Sequence, residues 1–288
     1  MDEQMRVLLA TDGSASALVA RDLTAALAWP AGTVVRLVSA LDGHHLGGPA
    51  ADRLVEHAHE VLSEAAAGFA TGTAVGVTVE QGLLHGRAAS SIVDEAARFE
   101  ADVIVLGSRG HGSISSMLLG SVAAEVTDHA HCPVLVARRP ILSRIVLAHD
   151  GSECADHAER VVGEWPIFDE VPIDVVSVAV QTAPFVVPSA ISVAADVPDY
   201  FASVREIRER HTRVAEEAAE RLRELGRRAT GVMVDGEPAH AILGVVNDRR
   251  ADLIALGTHG RSGLARLLLG SVARNVMVHA TCSVLMVR

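Results

Sequence analysis

Residues 107–121 read GSRGHGSISSMLLGS, and residues 257–271 read GTHGRSGLARLLLGS. Each stretch follows a short apolar run, ADVIVL at 101–106 and ADLIAL at 251–256. Each has the spacing Gly, two residues, Gly, nine residues, Gly-Ser. The members are Gly107, Gly110, Gly120 and Ser121, then Gly257, Gly260, Gly270 and Ser271, all displaced by 150 positions. A strand that ends in glycines and opens a helix suits an anionic group. Glycine lets backbone approach a ligand, free N–H groups make an anion-binding concavity, and a helix N-terminus adds donors and partial positive charge. The third glycine lies too far along to sit in the first turn, so the nine-residue loop is expected to return to the site and wrap phosphates. The plain alternative is a tight turn and a small packing residue. Two copies at identical spacing favour phosphate.

Working outward, the whole chain repeats. Strands are predicted at 6–10, 33–41, 73–80, 102–106 and 133–137, with helices at 15–28, 52–68, 86–99 and 117–130. After Arg138-Arg139-Pro140 the programme restarts, with strands at 145–148, 173–180, near 229–234, 251–257 and 282–288. DGS at 12–14 recurs at 150–152, an offset of 138, whereas the glycine stretches recur at 150. About twelve residues are therefore inserted between, and the Pro-containing stretch 181–205 is where they are placed. Alternating strands and helices predict an α/β fold of two tandem doubly wound domains, 1–139 and 144–288. Each is expected to hold a five-stranded parallel sheet of order 3-2-1-4-5 with helices on both faces. The loops after the first and fourth strands then meet at the ligand edge. Asp12 and Asp150 stand there, suited to a ribose hydroxyl, an adenine amino group or an indirect hold on Mg²⁺. The alternative is a turn with Ser14 as helix N-cap.

Composition narrows the function. The 288 residues carry 25 basic and 36 acidic groups, a formal charge of −11, which implies no general affinity for nucleic acid or anionic membrane. No stretch has the length and apolarity of a membrane span, and the N-terminus shows no signal-peptide pattern, so a cytoplasmic setting is expected. All the basic residues are arginine. A Walker loop and lysine-dependent catalysis are thereby excluded. Cys132 and Cys282 read as core residues in a reducing compartment. The histidines at 44, 45, 57 and 59, and the DHAHC run at 128–132, do not make a repeated metal set. His129 and His279 read as helix C-terminal caps. Arg261 is placed to reach phosphate, with His111 its counterpart in the first half. The helix at 203–228 reads as a solvated face with pairs such as Glu206–Arg210.

These motifs resemble the universal stress protein family, in its ATP-binding, tandem form. The resemblance rests on both complete G-x2-G-x9-G-[ST] signatures, on VLLATDGS and IVLAHDGS, and on CPVLVA and CSVLMV. It implies nucleotide contacts at Thr11, Asp12, Ala40, Gly107, Arg109, Gly110, His111, Gly112, Gly120, Ser121 and Val122. In the second half it implies His149, Asp150, Val178, Gly257, His259, Gly260, Arg261, Gly263, Gly270, Ser271 and Val272. It further implies pairing of the fifth strands, here within one chain, and a regulatory stress-response role. The expected ligand is ATP with Mg²⁺, and no catalytic residue or resident metal site is assigned. A homodimer and a regulatory protein partner complete the expectation. The rival is a slow Mg-dependent ATPase of the same fold.

Overall fold

The computed structural model describes residues 4–42, 48–70, 76–111, 119–180, 197–260 and 269–288. The first half runs β1 (Arg6–Ala10), α1 (Ala15–Ala26), β2 (Val34–Leu41), α2 (Pro49–Ala70), β3 (Thr78–His85), α3 (Ala88–Phe99), β4 (Val103–Gly107), α4 (Ser121–His129) and β5 (Val134–Ala137). The second runs β6 (Ile145–Ala148), α5 (Glu153–Glu164), a 3₁₀ turn at Pro166–Phe168, β7 (Ile173–Ala179), α6 (Val197–Glu224), β8 (Ala229–Asp235), α7 (Pro238–Arg249), β9 (Leu253–Gly257), α8 (Ser271–His279) and β10 (Ser283–Val287).

The strands join in one sheet, ordered β3-β2-β1-β4-β5-β10-β9-β6-β7-β8. Each half is thus the expected 3-2-1-4-5, and its strands are parallel. The halves meet antiparallel, with Val284 opposite Val136, Leu285 opposite Leu135 and Met286 opposite Val134. The central strands are continuous apolar runs because helices cover both faces. Alternation sorts them into two layers. Val7 and Leu9 face Leu23, Leu62 and Leu135, while Leu8 and Ala10 face Ile92, Ile104 and Val126. Each layer runs on into the second half, through Leu147 and Leu285 on one side and Val284 and Ile254 on the other.

Arginines lock this seam in a reciprocal way. Arg138, directly after β5, donates to the Met277 carbonyl of α8 (2.5 Å) and to the Cys282 carbonyl (3.5 Å). Arg288, directly after β10, donates to the Thr127 (3.2 Å) and Asp128 carbonyls of α4. A cation at a helix C-terminus also offsets the helix dipole. His129 and His279 bond the Glu125 and Asn275 carbonyls of their own helices at 2.8 and 2.9 Å, as their positions predicted.

Several boundaries differ from the sequence reading, among them the start of α6, at Val197 instead of 203. β3 spans Thr78–His85, where the register pairs Val34 with Thr78 and Leu41 with His85; of the expected 73–80, residues 76 and 77 are not strand and 73–75 lie outside the described residues. As an edge strand it is half exposed along its length, so its apolar alternation is faint. α4 starts at Ser121, since the Gly120 N–H is spent on the Ser108 carbonyl (2.8 Å) and cannot join a helical ladder; positions 117 and 118 of the expected helix lie outside the described residues. α2 begins earlier, at Pro49, a residue tolerated in a first turn. α6 ends at Glu224 instead of 228, where Gly226 (φ +82°) turns the chain into β8.

Replacing Arg138 by Ala should lower stability by about 1.5–3 kcal/mol, the range for hydrogen bonds from a charged donor. Urea unfolding of the whole chain measures this. An unchanged midpoint would show that the seam rests on strand pairing alone.

Candidate functional site

Two loops converge at the carboxyl edge of each half. After β1 the chain turns at Gly13 (φ +79°) and Ser14 caps α1, its hydroxyl accepting the Ala17 N–H at 3.3 Å. Gly151 (φ +79°) and Ser152 repeat this before α5, with Ala155 N–H to Ser152 Oγ at 3.2 Å. After β4 the chain passes so close to α1 that a Cβ on Gly107 would lie 2.5 Å from the Ser16 carbonyl carbon. Gly257 meets Cys154 in the same way at 2.6 Å. Ser16 fixes the approach: its hydroxyl bonds the Arg109 carbonyl and accepts the Arg109 N–H at 3.0 Å.

The Asp12 carboxylate ties the loops together. Oδ1 accepts the Ser14 N–H (3.0 Å) and Oδ2 accepts the His111 N–H (3.1 Å). A Cβ on Gly110 would stand 2.6 Å from Oδ2, so the second glycine is also required by space. Asp150 Oδ1 accepts the Ser152 N–H at 3.0 Å, and Gly260 lies against Oδ2 with 2.8 Å for a Cβ. The third glycine returns to the first, as expected. Gly120 N–H reaches Ser108 O and Gly270 N–H reaches Thr258 O, both at 2.8 Å. The N–H groups that follow open α4 and α8 without helical acceptors.

A cavity of about 430 Å³ fills the first convergence. Its wall includes Thr11, Asp12, Ala40, Gly107, Arg109, Gly110, His111, Gly120, Ser121 and Val122. A second, of about 380 Å³, is walled by His149, Asp150, Val178, Gly257, His259, Gly260, Gly270, Ser271 and Val272 among others. Gly112, Arg261 and Gly263 lie outside the described residues. The structure adds apolar walls that sequence reasoning missed, Ala88 and Ile92 of α3 and Pro238 and Ile242 of α7. It also adds Ile207, Arg210 and His211 of α6 to the second cavity alone. Nothing in the local motif marks these residues, because they arrive from helices distant in sequence.

The family follows from this architecture and from the sequence profile of the universal stress protein family, which matches residues 4–138 and again 142–288. The chain belongs to the universal stress protein family. A universal stress protein of Mycobacterium bovis is 30% identical over 261 residues, spanning 83% of this chain and 73% of that protein. The crystal structure of a universal stress protein from Archaeoglobus fulgidus superposes with a TM-score of 0.67 at 20% identity, covering 98% of each chain. A universal stress protein crystallised in complex with cAMP is 27% identical over 46% of this chain and 95% of its own, with a TM-score of 0.37.

Beneath the second site of this universal stress protein lies an ionic cluster centred on the buried His149 and Glu159, which the described residues of the first half do not repeat. His149, which replaces Thr11, puts Nε2 3.1 Å from Glu159 and 3.3 Å from Asp156. Arg221 grips both Glu159 oxygens at 2.7 Å. This arrangement does not suit a metal ion. The Gly151 N–H donates to Nδ1 (3.3 Å), which leaves the ring proton on Nε2, and Arg221 already occupies the carboxylate. Burial would raise the Glu159 carboxyl, but His149 and Arg221 outweigh it and hold the group below its usual range. Elsewhere, Cys282 is buried in the core as expected and Cys132 is partly buried at its edge; burial pushes both thiols up to about 11.

A lowered folded-state pKa stabilises the fold above the unfolded value, about 4.3 for Glu, and this is lost as pH falls through the folded value. Glu159→Gln should therefore lower the melting temperature at pH 6, with the gap to wild type closing as pH drops toward 3. A gap that widens in acid would contradict this assignment.

Proposed function

We propose that this protein is an ATP-binding regulator with one nucleotide site in each half and little or no turnover. The observation that carries the reading is the repeated cavity. In both halves spacing glycines, a helix N-terminus and an aspartate-braced loop surround one hollow, with an apolar slot beside it. Backbone N–H groups at that helix start suit phosphate oxygens, and the valine and isoleucine walls suit a planar base. Residues 1–139 and 144–288 act as the two units. The cell role is a stress-responsive signal in the cytoplasm, passed to a protein partner by a homodimer.

The donor set fits a nucleotide better than a protein-held metal. Both Asp12 oxygens already accept backbone N–H groups, so Mg²⁺ would be held by the ligand's phosphates and water. The same commitment leaves Asp12 poorly placed to activate a water, which favours binding over hydrolysis. His111 lines the first site and Arg109 brings a fixed cation to its glycine loop.

A side chain at Gly120 would press on Arg109 Cα (3.2 Å) and the Ser108 carbonyl (3.3 Å), where the loop closes on itself. Gly120→Val should remove one of the two ATP sites seen by isothermal titration, with the far-ultraviolet circular dichroism unchanged. Full stoichiometry in this variant would overturn the assignment of the glycine loop.

A further inference from the structure

The two sites differ at the end away from the glycine loop. Val61 of α2 lies over Gly13 (3.0 Å to its Cβ position), and Val214 of α6 lies over Gly151 (3.6 Å). This aligns the two helices, and it puts Ile207, Arg210 and His211 where the first half has Leu54, His57 and Ala58. The three α6 residues wall the second cavity, and among the described residues no α2 residue walls the first.

Arg210 is held over that cavity by a buried prop. His211 is 7% exposed, and its Nδ1 lies 2.9 Å from Ser177 Oγ. The Arg210 guanidinium reaches His211 Nε2 at 3.4 Å, a long contact. A guanidinium only donates, so Nε2 accepts and the ring proton sits on Nδ1, facing the serine. The sequence pattern paired Arg210 with Glu206. The structure corrects this: Arg210 turns to the histidine instead, while Arg205 takes Glu209 at 3.6 Å. The first half has alanine in place of the histidine and cannot build the prop.

Cations therefore sit at opposite ends of the two cavities among the described residues. The first has Arg109 at its glycine loop, where the second has His259. The second has Arg210 at the far end, beside the apolar slot of Val178 and Ile207. A forked cation beside a slot for a planar ring donates to oxygen acceptors, and two N–H groups of arginine match the O6 and N7 edge of guanine.

Building on the nucleotide reading above, we propose that Arg210 makes the second site selective for a purine nucleotide bearing an oxygen acceptor at the end remote from its 5′-phosphates. That acceptor is either the O6 edge of guanine or a second phosphate. The first site has no such selectivity. His211 is a positioning residue: it aims Arg210 and does not itself need to touch ligand.

The test uses the whole chain carrying Gly120→Val, so that titration reports the second site. Two ligand pairs separate the sources of the acceptor, GTP against ATP, and adenosine 3′,5′-bisphosphate against AMP. The acceptor-bearing member of one pair should bind about tenfold more tightly, in keeping with one bidentate arginine contact. Arg210→Gln should erase that preference, and His211→Ala, which installs the first half's residue, should weaken it. Equal affinities within both pairs, or a preference that survives Arg210→Gln, would overturn the proposal while ATP binding itself stands. Failure of every nucleotide to bind the parent would overturn both the proposal and the nucleotide reading. If Gly120→Val does not fold, the wild-type chain gives the same comparison, with the preference confined to one of two binding events.

Discussion

At the end of the fourth strand of each half there is no room for a side chain. A Cβ on Gly107 or Gly257 would lie 2.5 or 2.6 Å from a carbonyl carbon in the first turn of that half's first helix, α1 or α5. The contact is with backbone carbonyl atoms of Ser16 and Cys154, which cannot rotate away. Because of it the loop after the fourth strand lies directly on the loop after the first. Arg109 then bonds Ser16, Asp12 receives the His111 N–H, and the third glycine closes back onto Ser108. The cavity and the exposed start of α4 follow from that closure.

The sheet carries the arrangement across the molecule. Gly107 pairs with Ala137, and the next residue, Arg138, holds the end of α8. Gly257 pairs with Val287, and the next residue, Arg288, holds the end of α4. Each glycine loop thus stands one residue from an arginine that grips the other half's site helix. The seam is polar at its margins, through Arg274 and Asp128 at 3.0 Å, and apolar at its centre, through Leu135 and Leu285. Identical topology does not make the sites identical. Thr11 became His149 over a Glu159–Arg221 pair, and α6 brought Arg210 and His211 to a wall that α2 leaves alone.

Much of this was legible in the sequence because the repeat is long and its spacing rigid. Alternating strands and helices pointed to parallel sheets covered on both faces, and the repeated glycines and aspartates marked the loops that converge on the two cavities. The start of α4 was set by apolar spacing that runs through Gly120, whereas the Gly120 N–H is diverted to Ser108 and the helix begins at Ser121. β3 was misplaced because TAVGVTVE at 73–80 alternates ahead of the strand, while the half-exposed edge strand itself shows little apolar pattern. Arg210 was read as one half of a helix-surface pair. Only the fold brings Ser177 against His211, and so changes what that arginine faces.

The central claim, that both cavities are nucleotide sites, is tested most directly by what the purified protein carries. The protein is denatured, and the released small molecules are separated by ion exchange and quantified against protein chains. The account predicts adenine nucleotide released from the protein, with both sites filling when Mg-ATP is supplied in excess. Protein that releases none, and gives no heat on titration with Mg-ATP, would contradict it and leave the glycine loops as structural elements only.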